Sequence, residues 1–386
     1  MDLSKTFLKH FAELEDPRKE NHSQKLHNFE DILIITILGA ICGVDDWEEL
    51  HVFGLAKEDW LKTFLKLPNG IPSPDTFSRV FSLIDPKAFE TCFLSWIRSL
   101  EIDPKGEIIA IDGKTLRGSR EGSTNKRPLH LVGAWAAKQN ILLGQIKTEE
   151  KSNEIDAIPE LLNLIDIEGA TVTIDAMGCQ KKIAEKIIEK NANYVLSLKQ
   201  NQETLYHDVE SIFKIGEEKE KKYKKMLHLR RVEKVHDHGR AETRKYTLIS
   251  ARDPAAFILR WPGLNGIGKL EVTRTINNQV EHSVRYFLTT FQYEEIDKFK
   301  EAARQHWNIE IGLHWSLDVS FREDLNRCRK GHSAENLAIV RRIALNLLKQ
   351  DKTKKCGIKC RRKAAGWDHS YLLQILSNCS SEITTE

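Results

Sequence analysis

The 386 residues carry 59 Lys and Arg against 56 Asp and Glu, a net charge of +3, with 40% hydrophobic and 30% charged residues. That balance excludes wholesale disorder and suits a soluble globular chain of two or three domains. The longest uncharged run, residues 32–44, is too short for a membrane span of roughly 20 residues. The opening MDLSKTFLKHFAELEDPRKE is too charged for a secretory signal, so the expected location is the cytoplasm and no membrane partner is expected. Seven scattered cysteines, an odd number, argue against a disulfide framework. Cys356 and Cys360 form C-x3-C without a second pair at zinc-ligand spacing.

Residues 1–100 read as helical. An apolar run over 32–43 continues into a stripe through Trp47, Leu50, Phe53 and Leu55. Pro68, Pro72 and Pro74 break the chain, and Ser73-Pro74 then offers a cap and a first-turn proline to a helix through Phe77, Val80, Phe81 and Ile84. Two helices joined in this way fit either a DNA-contacting helix-turn-helix or an ordinary bundle. From Glu107 the pattern changes. IIAID (108–112) predicts a strand, and HLVGAWAAKQN (130–140) with ILLGQIKTEE (141–150) predicts a hairpin around Gln139-Asn140. A helix over 157–166, the strand TVTID (171–175), a helix over 180–190, the strand YVLSLK (194–199) and a helix through 209–213 complete a β-β-β-α-β-α-β-α order. Short alternating elements of this kind mean an α/β sheet with parallel central strands. The charge-dense stretch 214–234 reads as a solvated helix or loop. Strand-like runs RRVEKVHDH, TRKYTLIS, KLEVTRT and SVRYFLTT follow, predicting a β-rich insertion over 214–295, after which 296 onward is helical again.

Asp112 and Asp175 repeat one local design: each is the first acid after four mostly apolar strand residues and is followed by Gly or Ala. Ligands of open α/β sheets gather beyond the carboxyl ends of the strands. Two carboxylates on neighbouring strand ends repel unless a cation lies between them, which is a recipe for Mg²⁺. Singly, Asp112 also fits an Asp-Gly turn and Asp175 a helix cap. Gly113-Lys114-Thr115 is no phosphate loop, because the glycine that motif requires at 108 is Ile. A helix over 298–317 places Glu310 at the edge of an apolar face with His306, Trp307 and His314. His306 and His314 are eight residues apart, about 12 Å along an α-helix, so one zinc ion cannot take both. Residues 322–363 hold fourteen Lys and Arg against four Asp and Glu, a basic end suited to a phosphate backbone or to plain solvation.

AIDGKTLRGS (110–119), YVLSLKQNQ (194–202), RQHWNIEIGLHWSLDVSFRED (304–324) and GHSAENLAIVRRIALNLLKQD (331–351) resemble the insertion-sequence transposases of the H-repeat-associated type. HFAELEDPR (10–18) and PSPDTFSRVF (72–81) resemble the N-terminal domain associated with that family. The resemblance implies an RNase H-like core with a DDE triad, two Mg²⁺ ions for which Mn²⁺ can substitute, and DNA transposition. By position the triad falls on Asp112, Asp175 and Glu310, with Asp112 bridging the two ions. Many related transposases place a Tyr and an Arg before the catalytic Glu and a Lys seven residues after it. Here Arg304 and His306 precede Glu310 and Leu317 follows it, which leaves Asp318 as a rival third acid.

The expected fold is α/β, an RNase H-like mixed sheet flanked by helices. A helical N-terminal domain spans 1–100, the core spans 107–213 and 296–350 around the insertion, and a basic tail spans 351–386. The expected activity is Mg²⁺-dependent cleavage at transposon ends followed by strand transfer, with a homodimer on the DNA. Lys114, Arg117, Lys199, Asn201, Arg304, His306 and Arg322 are the expected DNA contacts. The alternatives are a transposition-defective relic or regulator of the same fold, and a plain metal-dependent nuclease.

Overall fold

The computed structural model describes residues 7–19, 25–120, 127–148, 153–223, 228–237, 240–251, 260–276 and 279–377, with the backbone alone for 216–223, 237 and 240. The strands are β1 (Ile108–Leu116), β2 (Leu129–Ala136), β3 (Ile141–Lys147), β4 (Thr171–Ile174), β5 (Asn193–Leu198), β6 (His228–Asp237), β7 (Arg240–Ser250), β8 (Gly266–Ile276) and β9 (Gln279–Thr289). They form one sheet in the order β3-β2-β1-β4-β5-β9-β8-β7-β6. β1, β4 and β5 are parallel, and every other neighbouring pair is antiparallel. The first five strands have the order and directions of an RNase H-like sheet. Their runs are apolar because both faces are covered. The β2–β3 hairpin turns where the sequence places it, with Asn140 at φ 56°, a left-handed conformation that Asn tolerates.

The strands expected as an insertion continue the core sheet, because β9 pairs edge to edge with β5 from Val195↔Thr289 to Leu198↔Tyr286. The charge-dense stretch divides between a helix and β6, and its residues 224–227 lie outside the described residues.

Helices α1 (Phe29–Cys42), α2 (Trp47–Ala56), α3 (Glu58–Leu61), α4 (Pro74–Leu83) and α5 (Pro86–Ser99) precede the sheet. α6 (Glu154–Leu164), α7 (Lys181–Glu189), α8 (Glu203–Tyr223) and α9 (Ile296–Gln305) lie between or after its strands, and α10 (Ser333–Gln350), α11 (Ile358–Trp367) and α12 (His369–Ser377) close the chain. α1 is apolar on every side and is buried from Asp31 to Ile41, packed against α10 and α11. Ser73 caps α4 by accepting the Thr76 N–H at 3.3 Å, and Phe77, Val80 and Phe81 face the core rather than solvent.

α10 joins the N-terminal helices to the sheet through two asparagines. Asn336 donates to the Phe81 and Ile84 carbonyls at the end of α4 (2.9 and 3.0 Å). Asn346 both accepts from the Leu142 N–H and donates to its carbonyl, each at 2.9 Å, at the bulge where β2 and β3 lose register.

Two features differ from the sequence reading. The helix expected over 298–317 is broken: α9 ends at Gln305, and after a turn at 306–307 the chain runs as wide π-helical turns, Glu310–His314 and Ser316–Ser320. In the first of these the Trp315 N–H bonds to the Glu310 carbonyl, five residues back. Gly312 lies on the indole of the fully buried Trp135, where a Cβ would come within 2.9–3.1 Å of the ring. The stretch read as a basic tail is folded from 358 to 377 as α11 and α12. Arg362 is buried and donates to the carbonyls of Ala40 (3.0 Å), Val44 (3.2 Å) and Ser320, and to Asp45 Oδ1 (3.2 Å), with its guanidinium over the Phe321 ring. Arg361 donates to the Cys356, Leu348 and Asp351 carbonyls, and Arg342 pairs with the buried Glu323 at 2.7 Å. Counting charge along the sequence thus overstates the basic surface, because several of these cations satisfy carbonyls and carboxylates inside the protein.

Arg362→Ala leaves those acceptors without their donor and is expected to cost about 3–5 kcal/mol in denaturant unfolding. Lys363→Ala, at the exposed neighbouring position, should change stability by less than about 0.5 kcal/mol. Equal losses would mean that Arg362 is not the link between α11 and α1.

Candidate active site

Asp112 sits on β1 and Asp175 directly follows β4, which pairs with β1 in parallel through Ile111↔Ile174. The two acids therefore follow the last paired residues of adjacent parallel strands, whose backbones are about 4.8 Å apart, although β1 itself runs on to Leu116 beside β2. Asp112 is in register with Gly133 of β2, and Gly133 faces Leu313 of the π-helical turn. Gly144, paired with Ala134, faces Leu94 and Leu161 instead, so α5 and α6 cover the opposite side of the sheet. Glycine at 133 and 312 lets the π-helical turn settle on the sheet directly over Asp112.

That turn delivers Glu310 and His314. Carboxylate oxygens of Asp112 and Glu310 and a ring nitrogen of His314 all lie within 4.8 Å of one another. His314 Nδ1 is 3.4 Å from Glu310 Oε2 and 3.7 Å from Asp112 Oδ2. Burial pushes the Asp112 carboxyl up to about 7, against the Gly113 N–H hydrogen bond that lowers it; the charges of Glu310, Asp175 and Glu154 push it further up. Burial also lowers His314 to about 4, so its imidazole is neutral near pH 7. Asp175 accepts the Met177 N–H at 3.0 Å, which fixes the turn after β4.

The remaining sequence-predicted residues divide by surroundings. Lys199 and Asn201 line a cavity of about 540 Å³ together with Asp175, Met177 and Arg285. Asn201 also holds the Asp175 turn by donating to the Ala176 carbonyl at 2.9 Å. His306 bonds through Nδ1 to Thr173 Oγ1 of β4 at 3.0 Å; burial lowers its pKa while Asp175 and Glu310 oppose that. Lys114 is buried with its Nζ 2.6 Å from Asp318 and 3.8 Å from Asp324, and so pins the end of the π-helical segment to β1. Asp318 lies within that segment and pairs with Lys114, not with Arg322. Arg117 is 85% exposed on its side chain, with its backbone N–H bonded to Asp324. Arg304 is half exposed and 3.7 Å from Glu233, and Arg322 is exposed at φ 50°.

The sequence reading gives His314 the role of orienting Glu310 or touching phosphate, and the fold puts it beside Glu310. Sequence reasoning missed two residues near Asp112: Glu154, at the start of α6, and His130 of β2. His130 Nε2 is 2.7 Å from Glu154 Oε1 and Nδ1 is 2.8 Å from Thr115 Oγ1, its cross-strand partner. The pair lies over Gly113, where any Cβ would overlap Glu154. A second cavity of about 560 Å³, lined by Arg127, His130, Glu154 and Arg329, meets the first at Met177.

This chain belongs to the DDE transposase family: the sequence profile described as "Transposase DDE domain" matches residues 103–347, and the "DDE_Tnp_1-associated" profile matches 8–97. Among its relatives, "Putative transposase YncI" of Escherichia coli O157:H7 is 41% identical over 362 residues, covering 92% of this chain and 90% of that one. "H repeat-associated putative transposase YhhI" of Escherichia coli K12 is 37% identical over 382 residues, covering 98% and 99%.

A carboxyl raised on folding binds its proton more tightly in the native state. Ionising Asp112 therefore weakens the metal-free fold: stability declines as pH rises from about 4 to about 7 and then levels off. Asp112→Asn should remove that decline and stabilise the metal-free protein at pH 8 by on the order of 1 kcal/mol. Unfolding curves of both proteins with chelator at pH 5 and pH 8 test this. An unchanged difference between the two pH values would show that Asp112 titrates normally.

Proposed function

We propose that this protein cuts DNA at the ends of a mobile element and joins the freed 3′-hydroxyl groups to target DNA. We take Mg²⁺ as the working ion and Mn²⁺ as its substitute. The observation that supports this reading is the meeting of Asp112 and Glu310 within 4.8 Å, with Asp175 just past the adjoining strand β4, in a chain of the DDE transposase family.

The donor set fits divalent cations. Asp112 and Glu310 meet within 4.8 Å, Asp175 stands on the adjoining strand end, and their mutual repulsion calls for positive charge between them. Asp112, Asp175 and Glu310 are the residues that would hold such ions, with Asp112 central among them. Bound there, such ions make water or a 3′-hydroxyl nucleophilic and stabilise the leaving oxygen. The protein's own part is positioning. His306 and Thr173 brace β4 behind Asp175, and Lys114 holds Asp318 so that Glu310 stays over β1. Lys199 and Arg285 line the cavity beside Asp175, where they can take DNA phosphates, and Arg117, Arg304 and Arg322 offer exposed guanidinium groups to the duplex. Bringing two ends together calls for two copies of the chain, hence a homodimer in the DNA complex. A DNA substrate of this kind places the protein on the bacterial nucleoid in the cytoplasm.

Asp112→Asn, Asp175→Asn and Glu310→Gln should each reduce Mg²⁺-dependent cleavage of end DNA on the order of a thousandfold, the equivalent of several kcal/mol of lost charge stabilisation. DNA binding should remain. Asp318→Asn, which loosens only the brace behind Glu310, should cost less, about tenfold. An active Glu310→Gln beside a dead Asp318→Asn would move the third acid to 318. Recovery of element ends joined to target DNA separates a transposase from a nuclease, and absence of both cutting and joining in the wild-type protein would make it a relic.

A further inference from the structure

We propose that His314 is a direct nitrogen ligand of the ion held by Asp112 and Glu310, which makes this position an O,O,N site. The inference rests on the metal-dependent chemistry proposed above.

The geometry carries it. An N–H···O hydrogen bond closes at 2.7–3.2 Å. His314 Nδ1 stands 3.4 Å from Glu310 Oε2 and 3.7 Å from Asp112 Oδ2, between two oxygens and closely bonded to neither. Atoms that share one ion at bonds of about 2.1 Å stand roughly 3 Å from each other when they are neighbours around it. Small adjustments of three side chains bring these atoms to that spacing. His314 is 9% exposed on its side chain, so it has no solvent alternative, and the turn that carries it is held against Trp135 through Gly312. Glu310 and His314 come from the same π-helical turn, and such turns are frequent at functional sites because they re-aim side chains that an α-helix would direct elsewhere.

The test uses the purified full-length protein, without DNA, titrated with Mn²⁺ and followed by electron paramagnetic resonance. Pulsed measurements detect an imidazole ¹⁴N only when it is bound to the Mn²⁺. Wild-type protein should show that coupling. His314→Gln should lose it and bind Mn²⁺ at least about tenfold more weakly. Replacing the histidines with ¹⁵N-labelled histidine in the wild-type chain should shift the coupling, and His306→Gln should keep it, which together assign the nitrogen to His314 even if His314→Gln fails to fold; loss of the coupling in a folded His306→Gln overturns the inference. Mn²⁺ that binds without nitrogen coupling, yet is lost in Asp112→Asn, overturns the inference and leaves the proposed metal site standing. A coupling that persists in His314→Gln also overturns it. If wild-type protein binds no Mn²⁺, or Asp112→Asn binds it equally well, the metal site itself is wrong and this inference falls with it.

Discussion

The central constraint in this protein is repulsion acting on a buried carboxylate. Burial and the charges of Glu310, Asp175 and Glu154 drive Asp112 far above an ordinary carboxyl. Among the described residues no cation is close to Asp112, Asp175 and Glu310. Lys114 is committed to Asp318 and Asp324, and His314 and His306 are kept neutral by burial. Stability gained elsewhere, in the packing of α1 against α10 and α11, offsets the cost of this cluster. That arrangement is what a site waiting for divalent cations requires, and it differs from a structural ion-pair network, in which each acid has its base.

Glycine makes the closeness of these groups possible. At 133 and 312 it lets the helical segment lie on β2, and at 113 it leaves room for the Glu154–His130 pair beside Asp112. At 312 a side chain would press on Trp135, and at 113 it would displace Glu154 and His130. The fold therefore specifies the site by omission as much as by the acids themselves.

Much of this was legible in the sequence. The pattern shared by IIAID and TVTID pointed to Asp112 and Asp175, and the fold puts both just past the paired stretch of β1 and β4, although β1 continues to Leu116. The order of elements and the β2–β3 hairpin followed from apolar runs and turn residues. Glu310 was marked by its place at the edge of an apolar face and by family resemblance. The helix carrying it was misread because a 3.6-residue period was assumed across Glu310 to Asp318. A π-helical turn has no separate hydrophobic signature, and only the close seat of Gly312 on Trp135 shows why one fits here. His130 and Glu154 are 24 residues apart and meet through strand pairing and helix placement, which no local pattern reports. The β6–β9 strands were recognised as strands, but their union with the core sheet depends on β9 pairing with β5, a long-range choice.

The basic C-terminal end shows how a charge count and a charged surface diverge. Arg342, Arg361 and Arg362 spend their donors on Glu323 and on backbone carbonyls inside the protein. Exposed cations remain elsewhere, Lys199, Arg117, Arg304 and Arg322 among them, and Lys199 lines the cavity beside Asp175. An anion approaching the acids is repelled by the same charges that repel one another, while Lys199 and Arg285 attract it to the cavity alongside. Under the proposed function, binding and chemistry thus draw on separate groups: the rim would hold the DNA backbone, and the acids would act once their charge is compensated.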